Sequence, residues 1–292
     1  LVLVVGERAR ALFADDARIQ TLVDTSRFDS FLGRLKLIAA LWRFQPHVVV
    51  DLRHTLYPLV LKPLAAWRYL RQPPKTVAHM RDRHLWKLRA QVPGMQAARR
   101  TGQGTAFPVS AKDTLQVDGL RKRWGLEQTT RLVVVCPGAR SHIKRWTADG
   151  FARVADRLIS DAGVSVVFSG EPEEEPLVAE CLSLMRQRAH SAVGLTTIRQ
   201  LGALMRHASL VITNDSASLH LAGAFEAPTL AIFGPTDDRK YGPTAAKRRV
   251  IRRRLFCAPC EQSLCRFQHE CMRFIGADEV YAAARELLEP HA

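Results

Sequence analysis

The chain has 292 residues, 47% apolar and 24% charged, which excludes a disordered, collagenous or disulfide-dense polymer and exceeds the usual size of one hydrophobic core. Its formal charge of +15 is uneven: residues 1–128 carry 22 Lys and Arg against 10 Asp and Glu, so the first half is expected to meet something anionic, unless it is only a solvated basic surface. The most apolar long stretch, 56–70, contains Lys62, Arg68, Pro58 and Pro63, so no membrane-spanning helix is expected.

Short β-branched runs bounded by turn residues alternate with helical stretches, the pattern of parallel strands joined by crossover helices, and predict an α/β fold. In the first half, residues 1–5 and 48–50 read as buried strands, with an amphipathic helix at 31–44 between them. That helix places Leu32, Leu35, Ile38 and Leu41 on one side and Arg34, Lys36 and Arg43 elsewhere. Residues 57–69 mix apolar bulk with Lys62, Arg68, Trp67 and Tyr69. Either stretch could lie on an anionic bilayer or pack on its own sheet. Leu1 in place of Met, with Gly6, Glu7 and Arg8 close behind, reads as a fragment without a signal peptide and predicts a cytoplasmic protein.

Turn residues Gly102, Gly104 and Pro108 and the polar stretch after them predict a linker at 109–128, with a short helix ending at Arg123, Trp124 and Gly125. This divides a domain 1–128 from a domain 129–292. In the second, strands are predicted at 132–136, 164–168, 210–213 and 229–233, and helices at 147–161, 176–188, 198–207 and 216–224.

Three loops follow predicted strands, where an open α/β sheet binds its ligands. In 137–146, Gly138 lets a ligand approach the backbone and Lys144 offers a compact charge to a diphosphate; the alternative is an exposed loop lysine. Glu171, after Ser169 and Gly170, could accept both hydroxyls of a ribose, although an acidic helix entrance is also favoured by the helix dipole. In 213–220, Ser216 can act near an N-cap while first-turn N–H groups face an anion, with His220 four residues on along the same helical face, or merely packed there.

Asn214-Asp215-Ser216 with His220-Leu221-Ala222, then Ala227-Pro228-Thr229, Phe233-Gly234-Pro235-Thr236 and Gly242-Pro243, closely resembles glycosyltransferase family 9, the ADP-heptose:lipopolysaccharide heptosyltransferases. The Pro137-Gly138 loop with Lys144 and Trp146 and the tail at Cys271-Met272, Ile275 and Val280 keep the family's order, and 48–53 matches more loosely. The resemblance implies a GT-B architecture, two Rossmann-like domains with parallel sheets facing across a cleft, with the first strand and helix of the N-terminal domain preceding Leu1. It implies inverting, metal-independent transfer of a heptose from ADP-heptose to the inner core of lipopolysaccharide, without a cofactor. Lys144 would bind the donor phosphate, Glu171 the ribose and Asp215 the sugar hydroxyls, while Gly138 and the turn at Ser216, Ala217 and His220 would cradle the diphosphate.

Two departures stand out. Ala217 replaces the family's usual glycine, and the aspartate that is the usual general base would lie upstream of Leu1, so the present chain is expected to be impaired. Asp51 is the substitute candidate, or else a structural cap. Cys257, Cys260, Cys265 and Cys271 could close a tetrahedral metal site or form a reduced loop, while Cys136 and Cys181 are expected to be buried. Arg248, Arg249, Arg252, Arg253 and Arg254 read as a solvated strand edge. The rival readings are a transferase for another nucleotide sugar and a non-catalytic sugar-nucleotide-binding module. Without a recognisable aromatic-interleaved motif, no nucleic-acid partner is expected. The expected partners are the nucleotide-sugar donor, the lipopolysaccharide core and the anionic inner face of the bacterial inner membrane.

Overall fold

The structure, a computed structural model, describes residues 1–53, 55–92, 94, 109–127 and 129–289. The chain forms two compact units, Leu1–Gly104 and Thr105–Ala292.

In the first unit, strands β1 (Val2–Val5) and β2 (Thr21–Asp24) pair in parallel around helix α1 (Glu7–Phe13). Helices α2 (Phe31–Trp42), α3 (Tyr57–Leu61), α4 (Ala66–Leu70) and α5 (Met80–Gln91) follow. Ser30 caps α2 by accepting the Gly33 N–H. Leu37, Leu41 and Leu61 form the buried centre, with Val2, Val4, Val23 and Val49 against it.

Two expectations fail here. Residues 48–50 are not a strand; the partner of β1 is β2, and the side chains of Val48 and Val50 are exposed while only Val49 joins the core. The buried side of α2 is Gly33, Leu37 and Leu41, leaving Leu32 and Leu35 in solvent with Phe31 and Trp42. Gly33 sets this rotation, because a Cβ there would strike the backbone of Phe28: the helix turns its smallest residue to the closest neighbour.

The second unit opens with helix α6 (Ala111–Arg123), where the linker was expected. Ser110 and Asp113 form a capping box, and the helix ends as expected before Gly125, at φ +70°. Arg199 donates to Asp113 at 3.1 Å with both side chains buried, which ties α6 to the second unit and moves the boundary to before residue 105. The expected turn residues at 102–104 and 108, and Gln128, lie outside the described residues.

Then come β3 (Leu132–Cys136), α7 (Ala148–Ala162), β4 (Ser165–Phe168), α8 (Glu175–Leu184), β5 (His190–Ser191), α9 (Ile198–Arg206) and β6 (Leu210–Asn214). They continue with α10 (Ala217–Ala224), β7 (Thr229–Phe233), α11 (Asp238–Tyr241), β8 (Arg248–Arg252), α12 (Glu270–Arg273) and α13 (Ala277–Leu288). All six strands are parallel, in the order β5-β4-β3-β6-β7-β8. The α/β, parallel-sheet fold expected from the sequence is thus present in both units.

β3, β6 and β7 are buried at every position, which is why their centres read as apolar runs, with polar Thr213, Asn214 and Thr229 at the ends. β8 carries its arginines at the sheet edge. The chain winds outward from β3 to β5, then returns to β6 and winds outward to β8 on the other side. The reversal between β3 and β6 splits the crossover helices to opposite faces and opens a crevice at the strand ends, the place where doubly wound sheets hold nucleotides.

Candidate functional site

The two loops beside that reversal are the ones singled out in the sequence. β3 runs into Pro137 and Gly138 and then a 3-10 turn, His142–Lys144, while β6 runs into Asp215, Ser216 and α10. The structure brings Lys144 and Asp215 together, Nζ to Oδ2 at 2.7 Å, with the carboxylate nearly buried and the lysine partly open. Asp215 Oδ2 also accepts the Thr236 hydroxyl at 2.7 Å. A charged group is thus fixed at the crevice floor with its ammonium reaching toward solvent.

Asn214, fully buried at the end of β6, holds the loop that carries Lys144 at both ends. Its Nδ2 donates to the Pro137 carbonyl at 2.6 Å and its Oδ1 accepts the Trp146 N–H at 3.1 Å. Trp146 is itself buried and donates its indole N–H to the Ile275 carbonyl at 3.0 Å.

Gly138 sits beneath the Glu174 carboxylate: a Cβ at Gly138 would fall on it, and one at Gly170 would crowd it. Glu171 is exposed at the start of the 3-10 turn Pro172–Glu174, and its backbone N–H donates to Glu174 Oε2 at 3.0 Å. Of the acidic residues after β4, Glu174 therefore lies over the strand-end glycines, whereas Glu171 stands at the rim. The Ser169 hydroxyl beneath is buried without a hydrogen-bond partner among the described residues.

Ser216 is the N-cap residue of α10, but its hydroxyl does not cap the helix; it lies 3.3 Å from the Thr213 hydroxyl. The first-turn N–H groups are left for another acceptor at the positive end of the helix. Ala217 and His220 are exposed on α10. Beside Thr236, Arg239 hydrogen-bonds Asp237 and holds its carboxyl below the ordinary value.

Asp51 belongs to the other unit. One carboxylate oxygen accepts the Arg53 N–H and the other the Thr55 N–H, at 2.9 and 2.6 Å, while Gln91 hydrogen-bonds its backbone. This is the geometry of a loop cap.

The cysteine-rich tail gathers its four thiols around one cavity. Among the described residues no group of three or more His, Cys, Asp or Glu side chains is placed to hold a metal ion. Cys257, Cys260, Cys265 and Cys271 line the wall of a cavity of about 290 Å³ together with Ile143 and His269. Burial, reinforced by the neighbouring thiols, pushes the Cys271 thiol up to about 11. Cys136 and Cys181 are buried, each pushed up to about 12 by desolvation.

Sequence reasoning passed over Asn214, Thr236 and Glu174 as site residues. The first two lay inside quoted motifs, but their contribution runs through hydrogen bonds to positions 77 and 21 residues away. Glu174 was visible only as one of a run of glutamates.

The sequence profile of glycosyltransferase family 9 (heptosyltransferase) matches residues 64–270. A lipooligosaccharide heptosyltransferase 2 from Campylobacter jejuni is 30% identical over 170 residues, 56% of this chain and 53% of that protein. The chain spans about half the length of the curated relatives it matches. Among solved structures, a family 9 glycosyltransferase from Veillonella parvula superposes with a TM-score of 0.83 at 21% identity, over 98% of this chain and 87% of that one. The ADP-heptose lps heptosyltransferase II of E. coli gives 0.70 at 20% identity, over 98% and 88%. At such identities these two establish a shared fold.

Proposed function

Since the chain belongs to glycosyltransferase family 9, we propose that it transfers a heptose from ADP-heptose to the inner core of lipopolysaccharide, with inversion at the anomeric carbon. The observation that carries the reading is the Lys144–Asp215 pair at the β3/β6 reversal, beside the uncapped start of α10. In the transfer an acceptor hydroxyl attacks the anomeric carbon as the bond to the diphosphate breaks. Negative charge then grows on the departing ADP. In this reading Lys144 and the α10 N-terminus stabilise it, and they gain most in the transition state, where that charge is largest.

In this reading Asp215 takes the sugar hydroxyls, with Thr236 holding it in place, and Gly138, expected from the sequence to admit the diphosphate, instead leaves the room that the Glu174 carboxylate fills. The ribose falls to the acidic turn after β4. Glu171 is the residue suggested by the sequence, and the position of Glu174 over Gly138 supports a share for it. The local hydrogen bonds of Asp51 support a capping role for that residue rather than proton transfer.

We extend the proposal to location: cytoplasmic and peripheral at the inner face of the bacterial inner membrane, where such an acceptor would be held. No helix among the described residues is long and apolar enough to cross a membrane.

The test is heptose transfer by the protein from ADP-heptose to heptose-deficient lipopolysaccharide core, followed by mass spectrometry of the acceptor. Addition of one heptose, abolished by Lys144→Ala, is expected. Transfer from a different nucleotide sugar alone would refute the donor assignment, and ADP binding without any transfer would favour a non-catalytic module.

A further inference from the structure

Residues 56–70 have two faces that their own unit separates. Pro58, Leu61 and Tyr69 turn inward, Tyr69 donating its hydroxyl to the Val49 carbonyl at 3.1 Å. Leu56, Val60, Leu64, Trp67 and Leu70 are exposed, Leu64 at 98% and Leu56 at 74%. These outward positions recur every three or four residues along two short helices, α3 and α4, joined through non-helical Lys62 and a 3-10 turn at Pro63–Ala65. One exposed leucine needs no explanation, but five large apolar side chains in series describe a surface awaiting a cover.

The charge around the stripe says what kind of cover. From Asp51 to Asp82 no carboxylate intervenes, while Arg53, Lys62, Arg68, Arg71 and Lys75 all fall in that interval; Arg81, at its end, is ion-paired to Asp82. The Arg68 guanidinium lies 5.2 Å from the centre of the Trp67 ring and that of Arg71 5.6 Å from Trp86, so cations and aromatic rings share the same ground. A second copy of the chain would bring these cations against one another across a two-fold axis, which like charges oppose. A bilayer of anionic lipid presents what the stripe lacks: negative headgroups outside and hydrocarbon beneath. Tryptophan, lysine and arginine are the residues that such an interface favours.

We propose that residues 56–70 are a bilayer-docking stripe: Leu56, Val60, Leu64, Trp67 and Leu70 enter the boundary between headgroups and acyl chains, while the surrounding lysines and arginines pair with lipid phosphates. This deepens the peripheral-membrane part of the proposed function and rests on it only for the choice of occupant.

The full chain is sedimented with phosphatidylcholine vesicles with and without phosphatidylglycerol, and the Leu64→Glu/Trp67→Glu variant is compared with it. Both replaced side chains face solvent, and the milder Leu64→Ser repeats the comparison if the double variant fails to fold. Partition onto the anionic vesicles, reduced about tenfold or more by the double variant and weakened by salt, is expected. Unaltered partition of the variants, or equal binding to neutral vesicles, would overturn the proposal. So would self-association that Leu64→Glu/Trp67→Glu abolishes in the absence of any vesicle binding. ADP binding, measured in parallel, should be the same for all variants. Its loss in the parent protein would count against the transferase reading and leave the stripe untouched.

Discussion

Lys144 and Asp215 meet at 2.7 Å across the interval between the ends of β3 and β6, so a carboxylate holds the cation that the proposed function assigns to the donor phosphate. The two residues should therefore separate by function. Lys144→Ala is expected to weaken ADP binding by about 1.5–3 kcal/mol, the range for hydrogen bonds to charged groups, as read by calorimetry. Asp215→Asn removes a negative charge beside the diphosphate and should leave ADP affinity unchanged or improved while heptose transfer falls. Parallel losses of ADP affinity in both variants would show that the pair acts only as a structural brace.

Asn214 satisfies two buried backbone groups at once. Asn214→Ala should lower stability by about 1–3 kcal/mol for each partner left unsatisfied, in denaturant unfolding, and weaken ADP binding by releasing the Lys144 loop. Asn214→Asp keeps an acceptor for the Trp146 N–H but sets a carboxylate oxygen against the Pro137 carbonyl, so it should be no less damaging. A stable Asn214→Ala protein with full ADP affinity would show that the loop holds its shape without the clamp.

Gly138 and Glu174 should behave as a coupled pair, because the Cβ of Gly138→Ala needs the space that the Glu174 carboxylate fills. Gly138→Ala alone is expected to cost about 1–3 kcal/mol of stability from overpacking, and adding Glu174→Ala should recover a large part of it. Strict additivity in the double-mutant cycle would place the two side chains apart in solution.

The second unit should lose stability on mild acidification. Partial desolvation, with Arg121 adding to it, lowers the His207 imidazole from its usual 6.5 even though the residue stands at the surface, and burial followed by Arg188 does the same for the half-buried His190. As pH falls, the unfolded chain takes up these protons first. Their contribution is therefore complete above about pH 6.5 and is lost as pH drops from there toward the folded-state values. Thermal unfolding should shift downward between about pH 7.5 and 5.5, and His207→Gln should flatten that shift. An equal shift in the variant would assign the effect to other groups.

The central strands were legible because burial on both faces leaves them almost wholly apolar, with Thr213, Asn214 and Thr229 only at strand ends; β3 and β7 have the expected bounds and β6 extends one residue further. The first unit was harder. Val48, Val49 and Val50 are as β-branched as any strand, yet three residues cannot declare their partner, and β2 reads only Thr-Leu-Val-Asp. Nothing in the apolar spacing of α2 announced that Gly33 would face inward. In the site, Lys144 and Asp215 were legible as chemistry beside predicted strand ends. Asn214 was not, since an asparagine ending a strand acquires its meaning from two carbonyl and amide groups on another loop.

The indole of Trp146 closes on a carbonyl 129 residues further along the chain. A ribosome delivers the Lys144 loop early, and the residue that locks it only near the completion of the sheet, after β8 and α12. On the proposed function, affinity for a nucleotide is acquired late in biosynthesis: a nascent chain released short of Ile275 has the strands and the lysine, but its tryptophan lacks the acceptor that seats it. Any truncation from the C-terminal side that removes Ile275 should thus abolish donor binding without touching a residue that contacts the donor.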